Sequence, residues 1–167
     1  MTVPHSRINP ESGICTYFAA EQCSSCSLMR TPHDTQVRDA HAHLKVLLAD
    51  ASTPKTVFEE PLTSAPWGFR TKAKMMVAGT AAAPTFSFPG TREGVDLADC
   101  PLYPALVTDV LESARALIRR AQVPPYNLEK RRGEIKYVLV TASSTEAMVR
   151  LVPVSYTHLR AHETPEH

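Results

Sequence analysis

Apolar and polar positions follow two different periods along the chain, and the change of period marks out its elements. Over 34–49, "DTQVRDAHAHLKVLLA", Val37, Ala40, Leu44, Leu47 and Leu48 recur at three- and four-residue spacing, the pattern of an amphipathic helix with one apolar stripe. Asp34 is expected as its N-cap, since its carboxylate can accept a free backbone N–H of the first turn. His41 and His43 flank the stripe and read as solvated side chains rather than ligands. A second helical period over 104–122 aligns Val107, Val110, Leu111, Ala114, Leu117 and Ile118. Pro104 suits its first turn, where a missing N–H costs nothing. Arg119 and Arg120 suit its C-terminal dipole, and "VPPYN" stops it.

Elsewhere the period falls to two. "TVFEEPLTSA", "GFRTKAKMMVAG" and "PTFSFPG", within 56–90, read as strands. Alternation sets Arg70, Lys72 and Lys74 on one face of the second, with Phe69, Thr71, Ala73 and Met75 on the other. "GEIKYVLVTAS" and "AMVRLV" are the last strands, joined by a turn at "SSTE". Ile135, Tyr137 and Leu139 are expected to share one face. The order loop, helix, strands, helix, strands predicts an α+β fold with an antiparallel sheet and two main helices.

The chain divides into a flexible extension (1–13), a cysteine-bearing loop (14–33), a central α+β body (34–152) and a tail (153–167). The tail, "PVSYTHLRAHETPEH", holds three of the seven histidines and has no period. It resembles a translated sequencing-adapter run, and is expected to be non-native, with the authentic protein continuing past about Val152.

Composition narrows the class. Hydrophobic residues at 43% and charged residues at 21% suit a globular core. A net charge of +1 leaves any basic function to local clustering. No apolar run approaches the roughly 18 residues of a membrane span, and the opening residues carry no signal-peptide core. The expected compartment is the cytoplasm, where thiols stay reduced.

That matters because three of the four cysteines fall in "ICTYFAAEQCSSCSLM", as Cys15, Cys23 and Cys26, with Cys100 far downstream in "LADCPLYP". A C-x2-C pair can turn two sulfurs toward one centre. Four thiolates can hold either a zinc ion or a [4Fe–4S] cluster. Four-cysteine zinc sites usually bring two such pairs, whereas one pair with two isolated cysteines suits the separate corners of a cubane. Disulfides and unrelated buried thiols are the bland alternatives.

Four segments in order, "CTYFAAEQCSSCSLM", "GFRTKAKMMVAG", "LADCPLYP" and "PPYNLEKRRGEIKYVLVT", resemble the N-terminal half of bacterial 23S rRNA (uracil-C5)-methyltransferases of the RlmC or RumB type. The resemblance runs from about Cys15 to Val152. It implies a [4Fe–4S] cluster on Cys15, Cys23, Cys26 and Cys100, 23S rRNA as partner, no membrane, and a monomeric full-length protein. It further implies a Rossmann-like domain that binds S-adenosylmethionine, in which a cysteine attacks C6 of the uracil, the methyl goes to C5 and a base removes the C5 proton. No glycine-rich loop of such a domain follows Val152, and no fifth cysteine exists to attack the ring. No catalytic residue is therefore expected here, and the chain by itself is expected to be inactive. The alternative is a stand-alone zinc- or iron–sulfur-binding RNA module.

Two basic clusters are the candidate RNA contacts. Arg70, Lys72 and Lys74 alternate along a strand, so their charges stand about 6–7 Å apart. Arg131, Arg132 and Lys136, with Lys130, precede and enter a later strand, where Tyr126 and Tyr137 could stack bases. Trp67 and Phe69 are read as core aromatics.

Overall fold

The structure, a computed structural model, describes residues 7–9, 11–88, 91 and 94–154; residues 155–167 of the expected tail, and 1–6 of the extension, lie outside them. In chain order come α1 (Thr16–Ala19), α2 (His33–Leu47), a 3-10 turn (Ala49–Ala51), β1 (Lys72–Gly79), β2 (Pro84–Ser87), α3 (Ala105–Arg120), β3 (Ile135–Ala142) and β4 (Ala147–Pro153). The strands form one sheet in the order β2-β1-β3-β4, antiparallel throughout. The α+β class and the antiparallel sheet are as expected.

Two short hairpins set the registers. Between β1 and β2, Gly79 adopts φ +77° and a Cβ there would lie 2.5 Å from the Ala83 carbonyl oxygen, so only glycine fits. Between β3 and β4, the Ser143 hydroxyl accepts the backbone N–H groups of Thr145 and Glu146, the local bonding that makes serine a turn former.

The core lies between α3 and one face of the sheet. Val107, Leu111, Ala114 and Ile118 of α3 are buried with Met75, Val77, Phe86, Val138 and Val140. Arg115 fastens the helix to the β2 edge by an ion pair with Asp96 at 2.6 Å and by a hydrogen bond to the Pro84 carbonyl.

Several expectations are corrected. The first main helix begins at His33, with Pro32 in the N-cap position and Asp34 inside the first turn. Asp34 therefore meets the helix dipole rather than capping a donor. No residue of α2 is buried, and Leu47 is 66% exposed. The stripe is real, but α3 already covers the sheet, so α2 lies instead along residues 56–64 across a groove of about 710 Å³. His41 lines that groove, and its Nε2 is shielded from water without a hydrogen-bond partner; His43 is exposed as expected.

Residues 56–65 form no strand, because Pro61 within the run removes a ladder donor. In β3 a bulge falls between Ile135 and Tyr137. The extra residue shifts the phase, so Ile135, Val138 and Val140 are buried while Tyr137 and Leu139 turn to the opposite face. Phe69 is 47% exposed and lies before β1; Trp67 does pack against the core. Residues 7–9 and 11–13, assigned to a loose extension, join the fold through a bridge between Ile8 and Cys15 and a hydrogen bond from Asn9 N–H to the Ile14 carbonyl.

This division of labour between the two long helices is measurable. Leu111→Ala, at a site with 0% exposure, should lower unfolding free energy by about 2–5 kcal/mol through lost burial and a residual cavity. Leu47→Ala should stay within about 0.5 kcal/mol. Urea unfolding followed by circular dichroism checks both; equal losses would contradict the assignment of the core to α3.

Candidate functional site

The cysteine loop is too short to stand by itself. Its one helix, α1, has four residues, far below the roughly 12–15 at which an isolated helix becomes even marginal in water. Its order comes from docking. Cys15 occupies the N-cap position of α1 and is buried, as are Tyr17 and, from the distant segment, Leu97, Ala98, Cys100, Leu102 and Tyr103. Backbone turns then carry the chain past the remaining sulfurs: Cys23 N–H donates to the Tyr17 carbonyl and Met29 N–H to the Cys26 carbonyl.

A polar clasp locks the two segments together. Asp99, beside Cys100, accepts Arg7 Nε at 2.6 Å on one carboxylate oxygen and the Tyr17 hydroxyl on the other. The Arg7 guanidinium also lies 4.8 Å from the centre of the Tyr17 ring, a cation–π contact. Burial first, then the bond to Asp99, pushes the Tyr17 phenol well above its usual range, so it remains a donor.

All four thiols are reduced and share this region. Cys15 and Cys100 belong to the core, and Cys23 and Cys26 pack against it. Burial above all, opposed by a backbone hydrogen bond from Leu102 and aided by the other three sulfurs, leaves the Cys100 thiol pushed up to about 11. Burial likewise raises Cys26, with Cys23 and Cys15 adding to the rise and Arg70 opposing it. Cys15, Cys23 and Cys26 thus each act on Cys100. Among the described residues, no three His, Cys, Asp or Glu side chains are grouped as a site for one metal ion.

Arg70 is not where alternation put it. It precedes β1, and its N–H donates to the Leu102 carbonyl at 2.8 Å while Gly68 N–H donates to the Pro101 carbonyl at 3.0 Å. Its side chain acts on Cys26 and Tyr103, so its charge belongs to the sulfur end. Lys72 and Lys74 do share one exposed face of β1, opposite buried Ala73 and Met75. Lys130, Arg131 and Arg132 are exposed on a loop closed by the Asn127–Arg132 bridge, with Gly133 at φ +111° pressed against Pro125. Lys136 enters β3 beside Tyr137. The two basic clusters meet there: Lys74 Nζ lies 5.1 Å and Lys136 Nζ 5.5 Å from the centre of the Tyr137 ring. Arg150, which sequence reasoning passed over, is exposed on the neighbouring strand opposite Leu139. Its isolation in "AMVRLV" hid it, because only strand register brings it to the lysines.

Two relatives of this chain carry the same name. It is 39% identical over 140 residues to a Pasteurella multocida protein described as 23S rRNA (uracil(747)-C(5))-methyltransferase RlmC, covering 83% of this chain and 36% of that one. A Xenorhabdus nematophila protein of the same description is 40% identical over 149 residues, covering 87% of this chain and 39% of the relative. Over that segment the chain is similar to RlmC proteins. It spans little more than a third of the length of these RlmC relatives. No family model matches. The fold is similar to part of the crystal structure of Pyrococcus abyssi tRNA (uracil-54, C5)-methyltransferase in complex with S-adenosyl-L-homocysteine, with a TM-score of 0.55, 22% identity, and coverage of 78% of this chain and 31% of that one. No helix among the described residues is long and apolar enough to cross a membrane.

The clasp has a measurable worth. Hydrogen bonds to charged groups contribute about 1.5–3 kcal/mol, and at side chains 43% and 44% exposed water screening reduces the ion-pair part toward about 1 kcal/mol. Asp99→Ala should therefore destabilise by about 1–2 kcal/mol, and Tyr17→Phe by about 1 kcal/mol. The double variant should fall short of the sum, because both remove one bond. Strict additivity in urea unfolding would show that the two groups act separately.

Proposed function

We propose that this chain is the cluster-holding and RNA-recognising segment of an S-adenosylmethionine-dependent 23S rRNA (uracil-C5)-methyltransferase. The support for the reading is that Cys15 and Cys100 are buried in one core with Cys23 and Cys26 packed against it, in a chain similar to proteins named for that activity.

The donor set fits a [4Fe–4S] cluster. It consists of four thiols without a carboxylate or histidine among them, drawn from one C-x2-C pair and two isolated positions. Metal binding must displace the protons that burial holds on Cys26 and Cys100. The Leu102 N–H and the Arg70 guanidinium both favour the charged sulfurs. A bound cluster would cross-link the leading loop to the segment around Cys100, which is a structural role. Methyl transfer from S-adenosylmethionine to the uracil needs no electron.

Catalysis belongs to other residues of the whole enzyme. The 167 residues hold four cysteines, all assigned to the cluster, so the thiol that attacks the uracil is not among them. What this segment contributes is grip on the RNA, through Lys72 and Lys74 on the sheet and through Arg131, Arg132 and Lys136 at the loop and the start of β3. A ribosomal RNA substrate places the protein in the cytoplasm.

Anaerobic purification tests the cluster. The expected protein is brown, with iron and acid-labile sulfide in cubane ratio, and Cys100→Ser should lose most of both. A colourless protein with one equivalent of zinc would replace this reading with that of a zinc-binding module. For the RNA contacts, the Lys72→Ala, Lys74→Ala double variant should weaken binding and reduce the salt slope by about 2; an unchanged slope would remove both lysines from the interface.

A further inference from the structure

The face of the sheet turned away from α3 carries a pattern of its own. Strand register sets Lys74, Leu139 and Arg150 in one cross-strand row, and Met76, Tyr137 and Val152 in the next; Lys72 and Thr141 pair in the row on the other side, with Met148 opposite Thr141. Tyr137 therefore lies at the middle of the face, one row from a lysine on one neighbouring strand and an arginine on the other. Strands are about 4.8 Å apart, which puts Lys74 and Arg150 about 10 Å from each other across β3. Lys72, Lys74 and Arg150 are exposed, and Tyr137 is half-buried. Among the described residues, the ion pairs include none of Lys72, Lys74, Lys136 and Arg150.

We propose that Tyr137 is a stacking platform for one unpaired RNA base, with Lys74 and Arg150 holding the phosphates on either side of it. This rests on the RNA reading above and gives it a location and a class of ligand: single-stranded rather than duplex RNA. Lysines now cover the ring at 5.1 and 5.5 Å. An exposed cation–π contact contributes about 0.5–1 kcal/mol, whereas a base stacked on an aromatic ring contributes about 1–3 kcal/mol. A base therefore displaces an ammonium from the ring, and the freed ammonium meets a phosphate. The bulge in β3 is what makes this possible, because it turns Tyr137 out of the core-facing set while leaving Ile135 within it.

Fluorescence anisotropy with a labelled oligouridylate of about eight nucleotides, in the site-size range of single-strand binders, tests the platform in the full 167-residue chain. Tyr137→Phe keeps the ring and should bind within about twofold of the parent, while Tyr137→Leu should bind about tenfold more weakly with its salt slope unchanged. Arg150→Ala should lower that slope by about 0.7, one phosphate's share on a single strand. A second arm needs no variant: the parent chain should bind the same ribose-phosphate backbone without bases about tenfold more weakly than the oligouridylate. If the parent binds RNA but is indifferent to the bases, or if Tyr137→Leu binds as the parent does, the platform is overturned while RNA contact by charge survives. If the parent binds neither single-stranded nor duplex RNA, the platform and the RNA reading fall together.

Discussion

The bond between Asp99 and the leading segment is the constraint on which the arrangement depends. Arg7 and Tyr17 reach the same carboxylate across 92 and 82 residues of chain. Closing loops of that length is costly in entropy, though the cost grows only logarithmically with length. The gain comes from burial as much as from polar bonds, since Tyr17, Cys15 and Cys100 enter the same core as Met75 and Val107. The clasp also fixes which backbone lies beside which. With Asp99 held, Cys100 is presented to the loop, and Pro101 and Leu102 accept the N–H groups of Gly68 and Arg70. One carboxylate and a handful of apolar side chains thus bring the segment of Cys15, Cys23 and Cys26 against the segment of Cys100.

The sheet is sided, and the sides do different things. One face is dry and filled by α3; the other shows lysines, an arginine and a tyrosine to solvent. β4 is less well covered than the central strands, with Val149 and Leu151 partly exposed although their partners Val140 and Val138 are buried. A single helix laid over a four-stranded sheet shields its middle better than its edge. Among the described residues α2 has no buried side chain, and its apolar side faces the irregular chain of residues 56–64 across a groove.

Much of this was legible in the sequence, and the failures share a cause. The α3 face and the hairpin at Gly79 follow from local period and turn chemistry, which the sequence carries directly. The phase of β3 does not. Alternation predicted Ile135, Tyr137 and Leu139 together, and a single bulge separated the first from the other two. Periodicity likewise found α2 but could not say that its stripe would lack a strand to cover. Arg70 was grouped with Lys72 and Lys74 by spacing alone, yet the strand starts only at Lys72. Arg150 was missed for the converse reason, since its neighbours come from register rather than from sequence. The four thiols could be singled out from sequence because C-x2-C spacing and the two outlying cysteines need no register to be seen.

Arg70 also shows how the two ends of the molecule are joined. Its backbone is bonded to Leu102, two residues after Cys100, and its side chain acts on Cys26 and Tyr103. Two residues later the chain enters β1 at Lys72, the first cation of the exposed face. Tyr103 in turn donates from its hydroxyl to the Met75 sulfur on the buried side of β1. The Cys100 segment therefore grips the start of β1 from its backbone and from its core side at once. Between the Cys100 segment and the start of β1 the contacts are hydrogen-bonded on the backbone and packed on the core side. On the proposed reading, a cross-link at the sulfur end holds the exposed face of β1 in shape through these contacts without touching RNA itself.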